Sequence, residues 1–434
     1  MKISKPSIVK WKGGKKSPRL VDFINRPSTP AAAEKAAAII LADIRKNGDK
    51  AVVKTTKKLD GVSLAVSNLH VSAAEIAEAK NLVSPDFKRA VKEAHKRIQA
   101  FSKNSMRKDW SMKTPCGGTL GEKFNPMDRV GCYIPGGTAP LVSTTLMTIT
   151  LAKVAGVPEI VACTVAQKDG SVDPHMLYAM DVAGVTEVLR FGGVPAIGAM
   201  AYGTESISKV QKITGPGNAY VTAAKKLVFG EVAIDMLAGP SEIAVLADDS
   251  VPASYVAADL LSQAEHGSGL EKSLLVTDSE PLAKAVQLEL VKQANDLGRS
   301  TLIAKVIKEG TLIVIVPTIQ DGVKLINEFA PEHFELLVKN AGKIEKQIRT
   351  SGAIFVGRYT PESAGDFVAG PSHVLPTGGT AAMFSGLTVD DFRRRSSVLK
   401  LNKNDLREML PLIEEFGKVE GLDAHVRQAQ IRFE

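Results

Sequence analysis

A chain of 434 residues with 44% hydrophobic and 24% charged side chains can bury a large core and should hold two or more domains. No apolar run is long enough to span a bilayer, and the opening MKISKPSIVKWKGGKK lacks the apolar stretch of a secretory signal, so a cytoplasmic chain with no membrane partner is expected. The formal charge of +8 is concentrated at the front: residues 1–110 hold 24 Lys/Arg against 10 Asp/Glu, a net of +14, which leaves −6 for the remainder. Those charges are scattered over helical faces without interleaved aromatic residues, so they read as a solvated positive face near an anionic cofactor, with no nucleic-acid partner.

In chain order, Pro30 to Lys46 has an Ala-rich helical pattern after the cap candidates Ser28 and Thr29, and Asn47-Gly48 stops it. Ser72 caps a second helix, and Ser84-Pro85 opens a third that runs to about Ile98. From Gly117 the texture changes to short apolar runs alternating with helices: VGCYIPGG, TTLMTITLAKVAG, EIVACT, HMLYAMDVAG, EVLRFGG and AIGAMAYG. A second series follows: SEIAVLAD, a helix from Ser254 to His266, SLLVTD, a helix through QLELVKQAND, TLIVIV, a helix through KLINEFA, and GAIFVG. This alternation predicts parallel sheets, and two wound α/β units are the economical reading. After Gly386 the chain turns charged and is expected to form a helical tail, not a third sheet. Cys116, Cys132 and Cys163 form no CxxC pair, so neither a disulfide framework nor a thiolate metal site is expected.

Ile134-Pro135-Gly136-Gly137 follows a strand and precedes a helix, and Gly215-Pro216-Gly217-Asn218 opens another helix. Such turns aim backbone amides at an anion, though neither is a GxGxxG fingerprint or a Walker loop, and either can be an ordinary βα turn. In AADLLSQAEHG, Gln263 and His266 lie three apart in a helical pattern and share a face. An amide oxygen and an imidazole there are half of a metal site; a solvated helix end is the plain alternative. Histidine is scarce, at seven residues, and His70, His95 and His175 lie in unremarkable surface contexts. His266, His333, His373 and His425 instead sit in polar settings, and Pro331-Glu332-His333 ends a helix with a carboxylate beside an imidazole, a pair suited to acid–base work near neutral pH.

The series YIPGGTAPLVST, FGG with AIGAMAYGTES, GPGNAYVTAAKK, AIDMLAGPSEI, LLSQAEHG, APEH, SAGDFVAGPSHVLPTGG with FSGLTVDDF, and EGLDAH resembles the histidinol dehydrogenase family, in order and over nearly the whole chain. The resemblance implies an enzyme that uses Zn2+ and two NAD to oxidise L-histidinol through histidinal to L-histidine, the last step of histidine biosynthesis. It implies zinc ligands at Gln263, His266, Asp366 and His425, and an acid–base pair at Glu332 and His333. It also implies that Ser143, Ser241, His373 and Glu420 lie near the substrate together with the ligands and His333, and that Tyr133 and Asn218 touch the cofactor. The family is a homodimer whose tail reaches across, so His425 and Glu420 are expected to serve the partner's site. The expected architecture is two Rossmann-like α/β domains with a helical N-terminal segment and a helical tail. Residues 1–27 form an arm, 28–131 with 242–387 a discontinuous first domain, 132–241 an inserted second domain, and 388–434 the tail.

The chain departs from the family's pattern in two places. Pro195 stands where a nucleotide-contacting Gln is usual, and proline has neither a backbone donor nor an amide side chain, which puts cofactor preference in question. Ser372 stands where Asn usually precedes the His of GPNH. Two other readings stay open: a zinc- and NAD-dependent dehydrogenase of another small polar alcohol, such as a sulfonated diol, and a non-catalytic relative that uses the basic segment. Intact Glu332, His333 and all four ligand positions weigh against the second.

Overall fold

The computed structural model describes residues 3–26, 31–136, 139–266 and 268–434. Ser28, Thr29, Pro30, Gly137 and Gly267, which figure in the expectations above, lie outside them. Elements in chain order are β1 (Ser7–Lys10), α1 (Pro18–Ile24), α2 (Ala31–Asp60), α3 (Ala73–Leu82), α4 (Pro85–Ser105), β2 (Trp110–Lys113), β3 (Thr119–Pro126), β4 (Arg129–Ile134), α5 (Val142–Ala155), β5 (Glu159–Thr164), α6 (Pro174–Ala183), β6 (Glu187–Leu189), α7 (Gly193–Tyr202), β7 (Lys212–Thr214), α8 (Ala219–Val228) and β8 (Ala233–Ile234). They continue with β9 (Glu242–Ala247), α9 (Ala253–Ala264), β10 (Lys272–Thr277), α10 (Glu280–Asn295), α11 (Ser300–Glu309), β11 (Thr311–Ile315), α12 (Ile319–Phe329), β12 (His333–Leu337), α13 (Ala341–Ile344), β13 (Ala353–Val356), α14 (Glu362–Ala364), β14 (Arg393–Lys400), α15 (Lys403–Glu420) and α16 (Asp423–Gln430).

Two parallel sheets organise the molecule: six strands in the order β1-β11-β10-β9-β12-β13, and five in the order β6-β5-β4-β7-β8. In each, the first strand of the series lies inside the sheet and the chain winds first one way and then the other, the doubly wound arrangement. Strands β9 and β10 are buried along their whole length, which is why they read as near-continuous apolar runs without alternation. One face of the six-stranded sheet packs on α9, α10 and α11; the other packs on α1 and α12.

The helices follow their start signals. Ser72 makes a capping box with Glu75, and Ser84 accepts from Phe87 N ahead of α4, which runs on to Ser105. Asn47-Gly48 interrupts α2 with a kink at Gly48, φ +50°, after which the helix resumes to Asp60. A side chain at Gly48 would collide with Glu205, whose carboxylate accepts from Asp49 N at 2.8 Å.

Three expectations are corrected. The helices α2, α3 and α4 do not join the six-stranded unit: α2 packs with α7 and α8, and α3 and α4 with α5 and α6, on the two faces of the five-stranded sheet. Their apolar stripes fit either sheet, and nothing local chooses between them. The arm 1–27 instead supplies β1 and α1 to the six-stranded unit, with β1 pairing β11. After Gly386 a third sheet does form, antiparallel, in the order β14-β3-β2. RRRSSVLK is mostly exposed, so it lacks the apolar alternation that marks a strand. Just before it, Val389 and Phe392 are buried in the core of the five-stranded unit, so the tail begins as a core element.

Phe392→Ala should therefore cost about 3–5 kcal/mol in urea unfolding, as for other fully buried aromatic side chains. A loss under about 0.5 kcal/mol, the range of surface changes, would return this stretch to the status of a loose tail.

Candidate functional site

β9 and β12 are neighbours whose first residues bring Glu242 beside Glu332 and His333, with Ile243 paired to His333. The turn from α12 into β12 is tight: Ala330 sits at φ +49°, the one non-glycine residue at positive φ among those described. Such a backbone costs on the order of 1 kcal/mol and persists where the surroundings demand it. It places His333 as the first residue of β12, a strand residue, not one at the end of a helix as the sequence suggested. Glu242 N donates to Glu332 Oε2 at 2.8 Å, and His333 Nδ1 donates to Glu242 O at 3.1 Å. Glu242's own carboxylate accepts from Gly378 N at 3.0 Å and lies 3.2 Å from Lys272 Nζ.

Asp366 stands on the π-helical turn Gly365–Ala369, and its Oδ1 is 3.2 Å from His333 Nε2. Its backbone carbonyl accepts from His373 Nδ1 at 2.9 Å, and His373 Nε2 lies 2.9 Å from Thr144 Oγ1 on α5. That chain of contacts joins the six-stranded unit to the five-stranded one. Ser143 lies beside Thr144 in the first turn of α5 and is half-buried. Ser241 Oγ is 3.4 Å from His266 Nδ1.

Burial drives the electrostatics. It pushes the Glu332 carboxyl up to about 8, against the opposing charge of His333. Burial alone would lower His333, but the Glu332 and Asp366 carboxylates outweigh it and raise the imidazole to about 10. Asp366 moves the other way: burial is overcome by His333, and its carboxyl falls below the usual range. Burial also lowers His266, partly offset by Asp366.

Among the described residues, one group of three side chains could close on a metal: His333, Glu362 and Asp366, with ligand atoms within 4.8 Å of one another. It shares only Asp366 with the expected ligand set. Gln263 supplies the sharper observation. Its side chain is fully buried at the end of α9, and neither its amide oxygen nor its nitrogen has a hydrogen-bond partner among the described residues. An orphaned buried amide costs on the order of 1–3 kcal/mol and calls for a ligand. α9 ends at Ala264, so His266 lies two residues beyond the helix, its N–H bonded to Gln263 O at 3.3 Å, and does not continue the helix face. Gln263, His266 and Asp366 form an N/O donor set that fits zinc.

The C-terminal ends of β4 and β5 border a cleft of about 500 Å³ lined by Gly136, Thr164, Gln167, Lys168 and Asp60 among others. A Cβ at Gly136 would meet Thr164 Oγ1 at 2.8 Å, so the backbone approaches closely there. Tyr133 is buried, and its hydroxyl accepts from Gly193 N at 3.3 Å at the start of α7. Asn218 caps α8 through Oδ1, which accepts from Tyr220 N and Val221 N, leaving its amide nitrogen for a ligand. Pro195 is buried in the first turn of α7 and offers no donor. Gly-rich turns at the ends of parallel strands, each opening a helix, fit a dinucleotide.

Glu420 and His425 are not brought to this group within one chain. They are exposed at the end of α15 and on α16, whose contacts are chiefly with each other. The sequence reading also missed Glu242, Lys272, Glu335, Glu362 and Thr144, all buried. A signal was available, since charged residues inside or at the head of apolar strands rarely occur without a partner.

Fold and site define a dinucleotide-dependent α/β oxidoreductase with a buried acid–base centre and a metal-capable donor set. The family model for histidinol dehydrogenase matches residues 25–433. A histidinol dehydrogenase of Heliobacterium mobile is 44% identical over 92% of this chain and 93% of its own length; one from Bacillus cereus is 45% identical over 91% of each. The crystal structure of histidinol dehydrogenase from Elizabethkingia anophelis superposes with a TM-score of 0.93 at 34% identity, covering 99% of this chain and 98% of that one. The chain belongs to the histidinol dehydrogenase family, whose members are NAD- and zinc-dependent oxidoreductases. The reading as a dehydrogenase of another polar alcohol is not favoured. Among the described residues no helix is long and apolar enough to cross a membrane.

One buried acid pair behind the site yields a pH test. Glu335, two residues past His333, has Oε1 accepting from Glu362 N at 2.7 Å, while Oε2 meets no donor among the described residues and faces the Asp259 carboxyl. Burial and Asp259 raise Glu335 to about 10, so the folded protein keeps a proton that the unfolded chain releases near 4.5. The stability contributed is full below pH 4.5 and is lost as pH rises towards 10. Glu335→Gln supplies a permanent N–H, so its stability relative to wild type should grow by on the order of 1–3 kcal/mol between pH 5 and 9. A pH-independent difference in urea unfolding would show that the pair holds no such proton.

Proposed function

We propose that the chain oxidises L-histidinol to L-histidine by two successive hydride transfers to NAD, in a site completed by a second copy. The single observation that carries the site assignment is the fully buried amide of Gln263, without a partner among the described residues, three residues before His266, whose imidazole feels the charges of Asp366 and His333. Gln263, His266 and Asp366 of one chain hold the zinc, and His425 of the other completes the set.

When bound, zinc orients and polarises the substrate's donor groups, and NAD accepts the hydride. The remaining work falls to the chain. Because His333 Nδ1 is committed to the Glu242 carbonyl, proton exchange falls to Nε2. The Asp366 carboxylate 3.2 Å away, whose charge helps hold the imidazole protonated, would be taken up by the zinc, which would lower the proton affinity of Nε2 and let it accept the alcohol proton in the first oxidation. Glu332 keeps one oxygen on Glu242 N and has the other free, and its raised affinity for protons suits it to activate the water that adds to histidinal. Burial of both groups excludes bulk water, which keeps the reactive aldehyde in place between the two steps. Ser143, Ser241, His373 and the partner's Glu420 line the substrate; Tyr133 and Asn218 carry the nucleotide. Pro195 contributes shape alone.

The second copy is supported by the tail itself. Leu412, Phe416 and Val419 recur along one face of α15 and are 63%, 68% and 76% exposed. An apolar stripe left open beside two expected site residues suits an isologous dimer. A biosynthetic role in the cytoplasm accords with this reading.

Purified protein given L-histidinol and excess NAD should form two NADH per histidine. Chelation should abolish turnover, with zinc restoring it. Glu332→Gln should slow oxidation of supplied histidinal more than the alcohol step, and His333→Asn the reverse. One NADH per substrate, or equal losses in both steps for both variants, would overturn the assignment.

A further inference from the structure

We infer that Lys225 and Asp235 are a buried positioning pair that sets the shape of the nucleotide-binding floor; the inference rests on the assignment of the Gly215–Asn218 turn to NAD. Both side chains are sealed from solvent, 2% and 0% exposed, and form an ion pair. Together they grip the two polar backbone groups of Gly215: Asp235 Oδ2 accepts from Gly215 N at 2.8 Å, and Lys225 Nζ donates to Gly215 O at 2.9 Å. Asp235 Oδ1 also accepts from Met236 N at 2.6 Å, which fixes the carboxylate itself.

The grip matters because of what Gly215 touches. Its φ is +116°, and a Cβ there would lie 2.1 Å from Tyr133 O, so the turn is pressed against the end of β4 at closest approach. Tyr133 in turn receives Gly193 N, and Asn218 caps α8 three residues further on. One ionic clamp thus sets three parts of the floor: the end of β4, the start of α7 and the start of α8.

A buried ion pair is an expensive way to hold a turn. Each ion costs several kcal/mol to desolvate, and an apolar pair of similar volume is often as stable or more so. What the ions supply, and an apolar pair cannot, is a donor and an acceptor of fixed direction for the N–H and C=O of a turn that belongs to no sheet. The pair is neutral overall and buried, so it draws the dinucleotide by geometry, not by charge. Its signature is a loss confined to nucleotide affinity.

The test is titration of NADH fluorescence with the metal-loaded dimer. Lys225→Met with Asp235→Leu removes both charges together and so leaves no orphan ion. It should bind NADH about tenfold more weakly, as expected for a floor displaced by a fraction of an ångström, while KM for histidinol stays within about twofold. A folded double variant with wild-type NADH affinity, or one that loses NADH and histidinol affinity alike, would overturn the clamp. Should the double variant not fold, Asp235→Asn with Lys225→Gln keeps an acceptor for Gly215 N and leaves no orphan ion, while the shorter amide withdraws the donor from Gly215 O. It should weaken NADH about threefold with histidinol unmoved, and no change would overturn the clamp equally. Asn218→Ala separates the clamp from the assignment beneath it. If it weakens NADH while the clamp variants do not, only the clamp fails; if NADH affinity ignores Asn218→Ala, the turn does not carry the nucleotide and both fall.

Discussion

The site depends on one constraint: charges buried at the head of β9 and β12 must be matched by donors that the fold itself supplies. Glu242 serves this from both ends. Its backbone N–H holds Glu332, its carbonyl holds His333 in one tautomer, and its carboxylate is held by Gly378 N and Lys272. Without that frame, Glu332 and His333 would be unpartnered ions in a core, at a cost of several kcal/mol each. With it, they become a carboxyl and an imidazole of raised pKa, fixed in direction and shielded from water.

The two sheets divide the labour by their ends. Gly-rich turns follow the C-terminal ends of β4, β6 and β7, where parallel sheets ordinarily bind ligands and where we propose that the nucleotide lies. Glu332 and His333, the proposed acid–base group, lie at the opposite end of the other sheet, at the N-terminal ends of β9 and β12. What joins them is His373, bonded to Asp366 on one side and facing Thr144 at the head of α5 on the other. Ser372 Oγ donates to Met147 O at 3.1 Å, which ties that segment to α5.

Much of this was legible in the sequence. Buried parallel strands between helices leave long apolar runs and Gly turns, so both sheets were readable, as was the Ser72 cap from its Glu75 partner. The candidates Glu332, His333, Asp366 and His373 lie near one another. Other features leave no local trace. α2 to α4 are amphipathic, and only tertiary contact decides which sheet they cover. β14 is solvated on both faces, so nothing in its pattern distinguishes it from a charged helix. Glu242 and Lys272 went unnoticed because each opens an otherwise apolar strand and looks like its boundary. The tail is legible chiefly by its exposure: among the described residues nothing covers the apolar face of α15 or His425.

Subunit exchange tests the composite site most directly. His425→Ala and His333→Asn proteins, each inactive alone, are mixed under exchange conditions and assayed with L-histidinol and NAD. If the tail serves the partner, each mixed dimer has one site with both lesions and one with none, so roughly a quarter of wild-type activity should return with random pairing. If His425 serves its own chain, every site keeps one lesion; no recovery on mixing, with heterodimers shown to have formed, would contradict the account.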